Sequence, residues 1–237
     1  MIDINCDLGE GLHNEHIIMP LISSCNISCG AHAGSIEIID KVIDLAVKHK
    51  VKIGAHPSFP DRQNFGRKVL NISNSELQKS LEDQLTVFKE RALLQDATIH
   101  HVKPHGALYN LIAVNREKAS VVIAAIQHVF EAVKLYVPYK SSIEEVAAQS
   151  GLEIVYEAFA DRRYNEDLSL VSRTLSNALI VDKYEVSKQV QKISDKQLVT
   201  TVNLNEKEIK ASTFCVHGDT KNAIEILQYL HKHIHTK

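Results

Sequence analysis

Seven short β-branched runs alternate with longer helical stretches along this chain, and that alternation leaves few folds open. The runs are Ile2 to Cys6, Asn26 to Cys29, Val51 to Ala55, Thr98 to Val102, Lys134 to Val137, Glu153 to Phe159 and Thr213 to Val216. Strands separated by helices pair in parallel through right-handed crossovers, either as an open doubly wound sheet or as a closed barrel. Local signals fix several helices. Ser73-Asn74-Ser75-Glu76 spells a capping box, and Leu77, Leu81, Leu85, Phe88 and Ala92 then fall on one face. Ser35 caps a helix running to about Lys50, and another periodic stretch follows Asn115. Ala223, Leu227, Leu230 and Ile234 keep helical spacing near the end. Asp182 to Lys210 is more polar and less periodic, and reads as an insertion or a partner-facing excursion. With no repeat, low-complexity linker or composition break, residues 1–237 read as one domain.

Ionisable groups gather where the apolar runs stop. Asn5-Cys6-Asp7-Leu8-Gly9-Glu10, Gly54-Ala55-His56-Pro57, His101-Val102-Lys103-Pro104-His105-Gly106 and Val216-His217-Gly218-Asp219 all show the pattern. Burying one unpaired charge costs several kcal/mol, so repeated placement of this kind points to a single assembled site. In a barrel every parallel strand delivers its carboxyl end to the same rim, whereas an open sheet uses only the strands beside its switch point. With the sixth run, which leads on into Asp161-Arg162, five contributing strands favour a closed, TIM-barrel-like (β/α) barrel of seven strands. Strand parity turns Asp3, Asn5 and Asp7 one way and Ile4 and Cys6 the other, with the polar set facing the axis. The same rule pairs Lys103 with His105, Glu157 with Asp161, and His217 with Asp219.

Each position has a chemical reading and a plain one. Asp7 and Glu10 can take a proton from water or hold a metal, and two close carboxylates push one pKa toward neutrality; the plain reading is a solvated turn. His32, between Gly30 and Gly34, is a ligand-binding candidate or a hydrogen-bonded turn residue. Pro57 holds the chain extended at His56 and restricts the aim of its ring. Lys103 can neutralise an oxyanion or a phosphate, or form an internal ion pair with Asp7 or Glu157, while His105 can act as acid or base. Arg162, after Asp161, suits a two-pronged clamp on a carboxylate or phosphate, or a surface salt bridge. Asp219 follows His217 and can also cap the last helix. The tail His231-Lys232-His233-Ile234-His235 reads as a solvated helix end, and Cys25 and Cys29 read as packing.

Several classes are excluded. A net charge of −2 and the absence of Trp offer nothing to a nucleic acid. No apolar run approaches the roughly 18 residues of a membrane span, no leader pattern opens the chain, and a cytoplasmic location is expected. Cys6, Cys25, Cys29 and Cys215 form no Cys-x-x-Cys pair, which argues against a disulfide framework or a zinc ribbon. Neither Gly-x-x-x-x-Gly-Lys-Ser/Thr nor Gly-x-Gly-x-x-Gly occurs, so any ATP in the reaction is expected on a partner protein.

The ordered motifs, together with Asn26 to Gly34, Phe65-Gly66-Arg67, His101 to Asn110, Phe159 to Tyr164 and Cys215 to Asp219, resemble the LamB/YcsF family of 5-oxoprolinase A subunits. The resemblance implies a seven-stranded barrel of the glycoside hydrolase/deacetylase type. It also implies a hydrolase that, with two other 5-oxoprolinase subunits, opens the lactam of 5-oxo-L-proline to L-glutamate coupled to ATP hydrolysis, by way of a phosphorylated lactam. On this reading Asp7 or Glu10 activates water, Lys103 and His105 stabilise the tetrahedral species, and Arg162 or His32 holds the substrate carboxylate, with His56, Asp161, His217 and Asp219 lining the site. The chain departs from the family pattern at Ala31 and between Ser172 and Asn177, which bears on the pocket wall and the loop near Arg173. Two other classes compete. One is a metal-dependent amide or carbohydrate-ester hydrolase or deacetylase with Asp7, His32, His56 and His105 as ligands to a divalent ion; the other is a non-catalytic scaffold subunit. Self-association is left open.

Overall fold

A computed structural model describes residues 2–234. The chain begins with β1 (Asp3–Leu8), α1 (Glu15–Ile18), β2 (Ser24–Ser28), α2 (Ile36–His49), β3 (Lys52–His56), α3 (Asn74–Leu93) and β4 (Ile99–Val102). It continues through α4 (Gly106–Val114), α5 (Arg116–Val129), β5 (Lys134–Pro138), α6 (Ser142–Gln149), β6 (Ile154–Phe159) and α7 (Lys183–Lys196). A small hairpin, β7 (Leu198–Thr200) and β8 (Glu206–Glu208), precedes β9 (Thr213–Cys215) and α8 (Ala223–His233). Strands β1 to β6 and β9 close into a barrel in which every pairing is parallel. The seven expected strands are the seven barrel strands.

The helices follow their sequence signals. Ser35 accepts from the Ile38 amide, and α2 ends on Lys50 in a left-handed conformation. Ser73 and Glu76 complete the capping box of α3, whose Leu77, Leu81, Leu85, Phe88 and Ala92 are buried. Each of the large side chains among them contributes roughly 1.5–3 kcal/mol through removal from water.

Two expectations need correction. Asp182 to Lys210 is no excursion: α7 buries Val186, Val190 and Ile193, and serves with the hairpin as the connection from β6 to the last barrel strand. Its polar composition reflects a helix apolar on one narrow stripe only. Asp219 does not cap α8, because the cap position is Asn222 in a left-handed conformation, with no side-chain cap bond. In the tail, His231, Lys232 and His233 are exposed as expected, while Ile234 is buried and His235 lies outside the described residues.

Register positions the polar interior. The pairing Asp7↔Asn26 puts two inward side chains shoulder to shoulder, and Asn26 Nδ2 donates to Asp7 Oδ1 at 2.8 Å. Glu157 pairs with Thr213, and Asn5 Nδ2 donates to both Glu157 Oε1 (2.9 Å) and Thr213 Oγ1 (2.8 Å). Ile4 and Cys6 turn outward into the layer between barrel and helices, as parity requires.

Candidate active site at the barrel rim

The axis of the barrel ends in an ammonium group. Lys103, one residue beyond β4, is buried, and its Nζ lies 3.0 Å from Asp7 Oδ1 and 2.9 Å from Glu157 Oε1. It also contacts Asn5 Oδ1 and Cys215 Sγ, and stands 5.3 Å from the centroid of the Phe159 ring. Burial opposes its charge, but Asp7, Cys215 and Glu157 outweigh burial and hold Lys103 well above the usual lysine range. Burial likewise opposes ionisation of Asp7, and the facing His56 and Lys103 overcome it, keeping this carboxyl well below the usual range. For Lys103 the internal ion pair and a place at the site are therefore the same fact.

Beside this centre, three histidines surround Glu10. His32 Nε2 lies 3.0 Å from Glu10 Oε1, His105 Nδ1 3.4 Å and His56 Nε2 3.8 Å. The His32 and His105 rings stack with centroids 3.8 Å apart, and His56 stands edge-on to both. Main-chain geometry sets this cluster. The His105 amide bonds the Pro57 carbonyl, tying the loop after β4 to the loop after β3. Gly106 has φ +56°, and a Cβ there would meet the Gly66 carbonyl oxygen at 2.7 Å, so only glycine lets the 65–67 loop close over the rings. Burial, then the charge of Asp7, raises Glu10; burial, then His56, lowers His32 to about 2, and burial with its histidine neighbours lowers His105 well below the usual range. The His32 and His105 rings are neutral at physiological pH. Glu10, His32, His56 and His105 each offer a ligand atom within 4.8 Å of the others, a set compatible with a divalent metal. Asp7, expected in that set, pairs with Lys103 and lies 3.3 Å from His56 Nε2.

A second dyad closes the opposite side. Asp161 is buried, accepts from the His217 amide and the Thr220 hydroxyl, and lies 3.0 Å from His217 Nδ1. Burial works against its charge, while His217 holds its carboxyl below the usual range. The His217 ring stacks over Phe159. Arg162 is buried rather than in a surface salt bridge: one Nη donates to the Val171 carbonyl, and Nε has no partner among the described residues. Asp219 pairs with Arg67 at 2.6 Å and Arg173 at 3.3 Å, joining two loops across the mouth.

Asp7, Glu10, His56, Lys103, His105, Arg162 and His217 line one cavity of about 410 Å³, large enough for a small metabolite. His32, Asp161 and Asp219 do not line it. The first two stand behind it, against Glu10 and His217, and Asp219 pairs with Arg67 and Arg173, which do line the wall. Sequence reasoning missed Asn26, Ser58, Arg67 and Arg173 as site residues. Asn26 carried a signal, an amide in the middle of a β-branched run; the two arginines lie on loops whose course no periodicity predicts.

Fold and site together define a (β/α)-barrel protein with a candidate site at the carboxyl ends of its strands. The chain belongs to the LamB/YcsF family, whose model matches residues 2–237. It is 38% identical over 237 residues to the 5-oxoprolinase A subunit of Bacillus cereus (strain B4264), covering 98% of this chain and 94% of that one. Against the 5-oxoprolinase A subunit of Staphylococcus aureus (strain MRSA252) the identity is 41% over 228 residues, covering 94% and 91%. The crystal structure of the lactam utilization protein from Thermus thermophilus superposes with a TM-score of 0.91 at 32% identity, covering 98% and 94%. Among the described residues no helix is long and apolar enough to cross a membrane.

Proposed function

We propose that this chain is the A subunit of an ATP-dependent 5-oxoprolinase and opens the lactam ring of 5-oxo-L-proline to L-glutamate. The reading is carried by one observation: a small cavity is lined by an ionised carboxylate (Asp7), a buried ammonium (Lys103) and a buried arginine (Arg162) within a chain 38% identical to named A subunits. An unstrained lactam resists water, so a partner protein first transfers the γ-phosphoryl group of ATP to the ring oxygen. Water then adds to the ring carbonyl carbon and gives its proton to Asp7. The carbon–nitrogen bond breaks as the nitrogen takes a proton from His217, which Asp161 orients, and the new hydroxyl returns its proton to His217, leaving an acyl phosphate that a second water converts to glutamate and phosphate.

Lys103 supplies positive charge beneath the tetrahedral carbon. Arg162, with Arg173 beside the same cavity, holds the substrate carboxylate or the phosphoryl group. His56 and His105 keep Glu10 in place, and His32 braces it from behind. The absence of a nucleotide cradle from the sequence supports ATP binding on the partners.

The test mixes the purified chain with the two other subunits, 5-oxoproline and ATP, and measures glutamate and ADP. Glutamate should form with all three and vanish when this chain is omitted; glutamate made without it refutes the assignment. A metal-dependent deacetylase is the competing activity because of the histidine cluster, and release of acetate from acylated sugars or amides by the chain alone would favour it.

A further inference from the structure

We propose that Arg67 and Arg173 form a subsite for a phosphoryl dianion at the cavity mouth, which takes the phosphate of the phosphorylated lactam while Arg162 takes the carboxylate. Both guanidiniums line the cavity and meet at one carboxylate that does not. Arg67 Nη2 lies 2.6 Å from Asp219 Oδ2, and Arg173 Nη1 lies 3.3 Å from the same oxygen. Two cations therefore share a single negative charge. Arg162, on the same wall, forms no ion pair among the described residues, because the neighbouring Asp161 is turned to His217 and Thr220. Positive charge is in excess along this side of the cavity.

At the inner end the balance is reversed. Asp7 and Glu157 both bear on Lys103, so one ammonium answers two carboxylates. An incoming anion is repelled there and stabilised at the mouth. This separation lets an anionic substrate approach Asp7 with its charged groups turned outward.

A carboxylate has one charge and one plane, and a single guanidinium fork satisfies it. A phosphoryl group carries about two charges near neutral pH and offers three oxygens in different directions, which suits donors arriving from separate loops. Arg67 follows β3 and Arg173 follows β6. Asp219 engages one Nη of each, leaving their other N–H donors for a ligand. The hydroxyls of Ser172 and Thr174 line the same wall and lie 2.9 Å apart, so one bonds the other and the second hydrogen stays free for a ligand oxygen. Arg67 is also fixed in place, with Cζ 4.8 Å from the centroid of the Phe65 ring and its amide bonded to the Asn64 carbonyl at 3.0 Å. Donors held before the ligand arrives bind it at a lower entropic cost.

The phosphoryl identity rests on the phosphorylated lactam proposed above, whereas anion binding by this chain is measured without partners, ATP or turnover. The full chain is titrated calorimetrically with inorganic phosphate, and with acetate as the carboxylate control. Phosphate should saturate one site per chain, and acetate should bind at least ~10-fold more weakly. Arg67→Gln and Arg173→Gln should each weaken phosphate at least ~10-fold, and Arg67→Lys and Arg173→Lys should recover part of that loss, since the charge returns without the fork. Arg163→Gln removes an exposed cation paired with Glu185 away from the cavity, and should bind phosphate as the parent does. Thermal melting is the folding control, and where a glutamine variant does not fold, the lysine variant at that position carries the test. Absence of saturable phosphate binding up to about 50 mM, or an affinity unmoved by substitution at both arginines, overturns the subsite. Acetate bound as tightly as phosphate overturns the phosphoryl assignment. Phosphate bound as expected by a chain that makes no glutamate with its partners upholds the subsite and refutes the lactam reading.

Discussion

The Nζ of Lys103 lies 3.0 Å from Oδ1 of Asp7 at the rim end of the barrel axis, and Glu157 grips the same ammonium from the other side at 2.9 Å. One cation against two carboxylates leaves the interior short of positive charge. Arg162 and Arg173 add positive charge on the cavity wall.

Replacing Lys103 by Met should abolish glutamate formation by the assembled enzyme. It should also cost about 3–5 kcal/mol of stability, because two buried carboxylates lose their partner. Adding Glu157→Gln to Lys103→Met should recover part of the melting temperature and none of the activity. Turnover restored along with stability would reduce the lysine to a structural role.

Arg162→Lys should raise KM for 5-oxoproline about 10-fold or more, equivalent to roughly 1.4 kcal/mol, while kcat changes little. A lysine keeps the charge but loses the planar fork. Steady-state kinetics of the three-subunit mixture decides it, and an unaltered KM removes the arginine from substrate binding.

Gly54→Ala should destabilise the protein by about 1–3 kcal/mol. A Cβ at this position would fall 2.1 Å from Nε2 of His101, inside the ring's own volume. That ring cannot step aside, since it stacks on Tyr136 at 3.8 Å and Nε2 bonds Asn26 Oδ1 at 2.7 Å. Urea denaturation measures the loss, and combining Gly54→Ala with His101→Ala should cost less than the two losses added together.

Stability should fall as pH drops below about 6.5. Burial first, then His100 and Lys103, lower the pKa of His101 well below its ordinary value, so the native ring stays neutral where the unfolded one, near ~6.5, takes up a proton. The unfolded state binds more protons in that window, so the contribution is fully present above about 6.5 and is lost as pH falls toward the depressed native value. Each such ring adds a slope of about 1.4 kcal/mol per pH unit. Denaturant midpoints measured from about pH 7 down to about pH 5 should show it, and His101→Gln should flatten the slope by about one proton.

Much of this was legible in the chain because barrel strands and amphipathic helices write their periods into sequence. Parity alone turned Asn5 and Asp7 inward, and the strand-end motifs named Lys103, His105 and His217. What periodicity cannot carry is the path of a loop. Arg67 and Arg173 meet at Asp219 from positions over a hundred residues apart, and Ser58 matters only because the chain folds back on itself after Pro57. Parity is equally silent on Glu10. Gly9, with φ +74°, turns the chain out of β1, so Glu10 leaves strand parity and swings toward the histidines.

Closure of the barrel falls to β9, three residues long, which bonds β1 on one side and β6 on the other. Its partners lie more than two hundred and about fifty-six residues upstream, so this pairing carries the largest loop-closure entropy in the barrel. Before β9 docks, Cys215 and Thr213 are missing from the polar interior and Lys103 remains open to water. A chain without β9 in place therefore cannot complete this polar interior. A nascent chain that has not yet passed residue 215 carries the acids, bases and arginines of the inner wall, His217 and Asp219 excepted, without the enclosure that tunes them.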